Sequence, residues 1–213
     1  MIPRVSPIKI IQSGRKPITE NQAGWLVIES FEPRVDYEVG LVDLSHRPKA
    51  LVQGSSVQEL GLALPGQALW TGEAWVGRIS REEAVILDLN GPMDQVWPRQ
   101  EHNDMTDGWA LLGVFGRHAA DVMARLVSVD VERPEINGPV ILTTKCHGMN
   151  IQIVNPKGKP PGYLLACERS YGQSLYNLCL HVGHKLGLIT VGVNQLKEWL
   201  MEIGLMRVRE AQP

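Results

Sequence analysis

Asp43, Ser45 and His46 stand within four consecutive positions and carry the side-chain types of an acid–base–nucleophile set. Residues this close along a chain do not usually adopt triad geometry, and no strand-to-helix nucleophile elbow accompanies them. The spacing therefore predicts a structural turn, with His46 in a structural role. His181 and His184 fall three apart on a helical run, but no third ligand is spaced to join them, and a metal site is not expected. Cys146 beside His147 lacks an acid partner and reads as an inert turn cysteine. Lys157-Gly158-Lys159 reads as a solvated basic tip, the alternative being a dock for an acidic group. Taken alone, Asp94 is an acid at a helix start, favoured there by capping and by the helix dipole. Glu202 is a solvated acid on an amphipathic helix.

These residues must be held by elements that the pattern of apolar positions locates. Trp25–Ile28, Gly40–Asp43 and Lys49–Gln53 read as strands, the last two flanking the Ser45-His46-Arg47-Pro48 turn. Ile8–Ile11 is a candidate short strand, and Ser55–Leu60 a short helix capped by serine. Gln67–Trp75, Val76–Ser80 and Ala84–Leu89 read as strands, with a hairpin tip at Arg81-Glu82-Glu83. Residues from Asp94 to about Gln100 read as a short helix ended by Pro98. Trp109–Phe115 is an uninterrupted apolar strand. The following run, Arg117–Leu126, has Ala119, Val122, Met123 and Leu126 at helical spacing. Val140–Thr144, Met149–Val154 and Tyr163–Glu168 read as strands, with Asn155–Gly162 a loop. Ser174–Leu186 and Asn194–Ile203 read as helices. The expected class is α+β, with mainly antiparallel sheets and packed helices. The expected organisation is an extended N-terminal arm over 1–23 and a single unit over 24–213. That unit is β-rich over about 40–105 and mixed over about 106–206.

Bulk properties narrow the choice. The 213 residues suffice for one large domain or two small interleaved ones. Hydrophobic residues are 44%, charged residues 21% and the net charge is −2, so no polyphosphate partner or anionic membrane is expected. The three cysteines fit no zinc or redox spacing, and a reducing cytoplasm is the simplest setting. Residues 1–7 contain no apolar core of a secretory signal. No apolar run reaches the roughly 20 residues that would span a bilayer.

The order of several motifs carries a family resemblance. Gly40-Leu41-Val42-Asp43-Leu44-Ser45-His46 is followed by Lys49-Ala50-Leu51-Val52-Gln53-Gly54. Then come Trp109–Gly116 with its helix, and finally Gly192-Val193 with the helix ending Leu200-Met201-Glu202-Ile203-Gly204. Over roughly residues 24 to 206 this order resembles the glycine-cleavage T-protein (aminomethyltransferase) family. The resemblance implies the T-protein-like folate-binding fold and an aminomethyltransferase-like reaction. In such enzymes an aminomethyl group on a lipoyl carrier protein passes its carbon to tetrahydrofolate with release of ammonia. Asn90-Gly91-Pro92-Met93-Asp94-Gln95-Val96-Trp97 matches the stretch that carries the family's catalytic acid. Asp94 would be that acid, with Asn90 and Trp97 beside the cofactor. Glu202 falls on the glutamate that holds the pterin edge, where paired charge-assisted hydrogen bonds suit a carboxylate.

The same alignment contains departures. Leu196 and Leu200 stand where the family's last helix carries arginines. Arg47 stands where its members commonly have methionine. The stretch around 149–162 lacks the family's tyrosine and glutamate, and the likeness ends before the family's C-terminal barrel. Arg169-Ser170-Tyr171 and Gly116-Arg117-His118 also resemble the gamma subunit of heterotetrameric sarcosine oxidase. That likeness implies a non-catalytic interaction subunit of a larger oxidoreductase. A surface bared by the missing barrel is accordingly expected at Leu205, Met206 and Val208 with Trp70 and Trp75, engaging a larger subunit or a second copy.

Overall fold

The computed structural model describes residues 4–11, 14–62, 64–89 and 102–206. The candidates Asn90, Asp94 and Trp97, the helix expected after Asp94, and Val208 lie outside these residues.

The chain forms β1 (Lys16–Gln22), β2 (Trp25–Glu32), β3 (Val39–Asp43), β4 (Lys49–Gln53), β5 (Ala68–Trp70), β6 (Ala74–Arg78), β7 (Glu83–Asp88) and β8 (His102–Asp104). There follow β9 (Trp109–Phe115), α1 (Ala119–Leu126), β10 (Val140–Cys146), β11 (Met149–Asn155), β12 (Gly162–Glu168), α2 (Gly172–Gly183), β13 (Leu188–Thr190) and α3 (Val193–Glu202). A six-stranded sheet runs β10-β11-β12-β9-β3-β13, antiparallel except for the β3–β13 pair. A five-stranded antiparallel sheet runs β5-β6-β7-β4-β8, and β1 and β2 form a separate ribbon. The α+β class with mainly antiparallel sheets is as expected.

Three apolar layers follow from period-two alternation along the strands. In β9, Ala110, Leu112 and Val114 face the layer under α1 and α2. Trp109, Leu111 and Phe115 face the opposite layer, shared with β6, β7, β2 and α3. Burial on both faces is why this strand reads as one apolar run. A third, smaller layer covers the outer face of the five-stranded sheet through Val52, Val76, Ile86 and Val57. The two sheets touch directly where Gly77 lies against Ile141. A Cβ at Gly77 would come within 2.5 Å of the Ile141 side chain, so only glycine allows that approach.

Several local expectations are corrected. The run 67–75 is two strands, because Thr71 turns the chain at Gly72 (φ 100°) and its amide bonds back to Ala74. Gly54–Leu60 is a 3₁₀ helix entered from Gln53 with no side-chain cap. Ile8–Ile11 forms no strand. Within the expected arm, 16–22 is a paired strand, and residues 6–9 are docked. Ile8 is buried, Ser6 bonds Asp43, and the Lys9 amide donates to Gln173 at 2.6 Å. The short parallel strand β13 has no sequence signature of its own. It exists because Leu188–Thr190 meets Val39–Leu41 in register.

Candidate functional site

The β3–β4 connection gathers the ionisable groups of the interior. The Asp43 carboxylate accepts the Ser45 amide at 2.9 Å and the Ser6 hydroxyl at 2.5 Å, an Asx turn that fixes the chain reversal. Ser45 Oγ accepts the Leu111 amide at 3.2 Å. The Arg47 amide donates to Leu44 at 2.8 Å. Lys49, with no exposed surface, donates through Nζ to the carbonyls of Ser45 (2.8 Å) and Arg47 (2.6 Å). Its own amide donates to Thr106 Oγ1 at 3.1 Å. The Asp88 amide reaches the Pro48 carbonyl at 3.0 Å, which brings the end of β7 alongside the turn. Asp43 is thus committed to serines rather than to His46, and the three residues make a turn, as their spacing predicts.

Burial sets the charges here. It pushes the His46 imidazole down to about 3, assisted by Arg47, Lys49 and Lys197, so the ring is neutral at neutral pH. It pushes Lys49 down to about 7, against the pull of Asp43. Arg47 is lowered by the same desolvation, opposed by Asp88 and Glu29. Asp43 is raised by enclosure, opposed by the bonds from Ser6 and Ser45. Sequence reasoning treats this run as a turn and misses the cluster. The available signal is a lysine at the first position of an otherwise apolar strand. Beside it lies a cavity of about 100 Å³ lined by Ser6, Trp25, Val42, Asp43, His46 and Val191. That is smaller than the roughly 300 Å³ at which ligand pockets begin.

The other candidates are dispersed. Glu202 ends α3 on its exposed face. Its neighbourhood is Tyr37, whose phenol is raised first by burial and then by Glu198 and Glu202. Glu198 pairs with Arg34 at 2.8 Å. Leu196, Trp199 and Leu200 turn inward and are buried, Phe115 stacking on Trp199 at 5.5 Å. Leu196 and Leu200 therefore fill the core at the positions where the resemblance puts arginines. Lys157 is not a solvated tip. Its Nζ donates to the carbonyls of Arg133 (3.1 Å) and Ile136 (2.5 Å). Cys146, Cys167 and Cys179 are buried. Burial raises all three thiols, Cys167 to about 12, and the Cys146 thiol donates to Leu126. The thiolate form that reactivity requires is disfavoured. Among the described residues no cluster of side chains could hold a metal ion.

The expected open patch is also corrected. Trp75 is 1% exposed, and Trp70 packs on it at 5.2 Å while its indole N–H donates to the Leu205 carbonyl at 3.1 Å. Leu205 and Met206 pack on the core between the sheets. The segment after α3 closes this region itself.

Comparison with solved structures places the fold. The chain is similar to the glycine cleavage system aminomethyltransferase T from Bartonella henselae, with a TM-score of 0.64 and 16% identity. The match covers 90% of this chain and 60% of that one. It is also similar to heterotetrameric sarcosine oxidase from Corynebacterium sp. U-96, in complex with pyrrole 2-carboxylate. There the TM-score is 0.57 at 12% identity, over 72% of this chain and 88% of that one. No family model and no curated protein matches the sequence. At these identities the likeness establishes a shared fold, the one that the motif order implies. Among the described residues no helix is long and apolar enough to cross a membrane.

Proposed function

We propose that this chain is an aminomethyltransferase-like protein that binds tetrahydrofolate and transfers a one-carbon unit from an aminomethyl or N-methyl donor. Asp94 is its catalytic acid, and Asn90, Trp97 and Glu202 contact the cofactor. The observation that carries the reading is the match to the Bartonella aminomethyltransferase across 90% of the chain. A carboxylate in Asp94's role holds the folate nitrogens and passes a proton to the leaving amine. A lipoyl carrier protein is the matching donor, and the cytoplasm the matching compartment.

A second reading is favoured by Leu196 and Leu200, which are 3% and 1% exposed and committed to the core. Their burial supports a non-catalytic folate-fold subunit docked on a larger oxidoreductase, or on a second copy of itself. Without the two arginines, folate forgoes two charge-assisted hydrogen bonds of roughly 1.5–3 kcal/mol each, which weakens its binding by about two to four decades.

Titration with tetrahydrofolate, followed by tryptophan fluorescence, separates the two. The first reading expects saturable but weak binding, weakened further in Asp94→Asn and Glu202→Gln while the melting temperature is unchanged. Absence of binding, with a larger protein recovered on the purified chain, would leave only the second. Sub-micromolar binding would show that the arginine accounting is wrong.

A further inference from the structure

We propose that the uncovered end of the six-stranded sheet binds a neutral polyhydroxylated ligand of the size of one sugar ring. A hollow of about 130 Å³ opens there, lined by Trp109, Thr143, Asn150, Gln152, Ala166 and Glu168 with the chain between them. Ile151 and Cys167 send their side chains to the layer under α1 and α2. Alternation therefore leaves Asn150, Gln152, Ala166 and Glu168 on the opposite face.

Register explains the hollow. Thr143 stands opposite Gln152, Gln152 opposite Ala166, and Glu168 opposite Trp109. Ala166, 1% exposed, is a small floor among larger side chains. Farther along the same face Ile141, Val154 and Leu164 belong to the buried layer shared with the five-stranded sheet. Thr143, Asn150 and Glu168 are exposed, so the hollow begins where that cover ends.

Its walls carry hydrogen-bonding groups that the fold does not use. Among the described residues, nothing bonds the Thr143 hydroxyl, the Asn150 and Gln152 amides, the Glu168 carboxylate or the Trp109 indole N–H. Gln152 Oε1 is buried without a partner, a cost that a purely structural role leaves unexplained. The last torsion of a glutamine is soft, so the amide can turn to meet a donor in the hollow.

This mixture selects the ligand. A carboxylate only accepts, an indole N–H only donates, and amides and hydroxyls do both. Hydroxyls on neighbouring ring carbons satisfy all of them. An ammonium ion cannot accept from the indole or the amides. A carboxylate or phosphate is repelled by Glu168, the one charged side chain among the described residues that line the hollow. A cavity of about 150 Å³ holds a six-membered ring. An open cleft of about 750 Å³ shares Trp109 and Glu168 with the hollow and leaves room for ring substituents. The site uses neither Asp94 nor Glu202.

The test is an NMR titration of the full chain, followed at the Trp109 indole N–H and assigned by its loss in Trp109→Phe. Glucose, methylammonium and acetate are the probes. Glucose should shift the resonance saturably with millimolar affinity, while the two ions leave it unmoved. Gln152→Leu should weaken glucose about ten-fold, the loss of one hydrogen bond. Its melting temperature should match or exceed the parent's, because a buried unpaired acceptor is gone. Ala166→Leu, which fills the hollow, should abolish binding. A resonance unmoved by glucose would overturn the proposal, as would an equal or stronger response to either ion. So would unchanged glucose affinity in Gln152→Leu, which would place the sugar elsewhere.

Discussion

Gly192→Ala is expected to destabilise the chain by about 3 kcal/mol or more, the upper range for forced overpacking. A Cβ there would lie 2.2 Å from the Glu29 carbonyl oxygen, 2.3 Å from its carbon and 2.5 Å from the Ser30 amide nitrogen. All three are backbone atoms of β2, so no rotamer change relieves the clash. Gly192 also starts α3, its amide donating to Gln195 Oε1 at 3.1 Å. The helix must back away from β2 and take Leu196 and Trp199 out of the core with it. Because α3 also carries Glu202, any cofactor contact made there should weaken in parallel. Urea unfolding of parent and variant measures the loss. A change below about 0.5 kcal/mol would mean that β2 yields freely and that the close approach has no energetic weight.

Stability should climb as pH rises from 3 to 6.5, and again from 7 toward 9. On the acid side, the unfolded chain binds a proton at His46 below 6.5, whereas the folded chain refuses it down to about 3. Stability therefore falls with falling pH through that window, at about 1.4 kcal/mol per unit, to a total on the order of 4 kcal/mol. Asp43, raised in the fold, works the other way just above its ordinary value and trims the effect. On the alkaline side, folded Lys49 releases its proton near 7 and the unfolded chain keeps it to 10.5, so stability gains as pH rises. Above about 9 the three raised cysteine thiols, and later the raised tyrosines, reverse the gain. Each of them ionises more readily once unfolded. His46→Asn should flatten the acid limb, and Lys49→Met the slope between 7 and 9, in thermal melts across pH. Identical limbs in parent and variants would show that these two groups are not desolvated in the fold.

The sequence by itself determined the class, most of the elements and the motif order that led to the fold. Apolar spacing along β9, α1 and α3 is a local property, because each face must find an apolar partner whatever that partner is. The Asp43–His46 turn was legible for the same reason, since an aspartate bonding the amide two residues on is a local event. Tertiary structure alone decided what distant neighbours impose. The ribbon β1–β2 and the parallel strand β13 depend on partners that local propensity does not encode. Trp70 and Trp75 read as a bared face in the sequence, and Leu205 closes over them in the fold. Lys157 reads as solvated, yet carbonyls 21 and 24 residues away reach its ammonium. The charge states of His46, Arg47 and Lys49 are set last. Desolvation depends on how many atoms the folded chain packs around a group, and those atoms come from β2, β7 and α3 as much as from the turn itself.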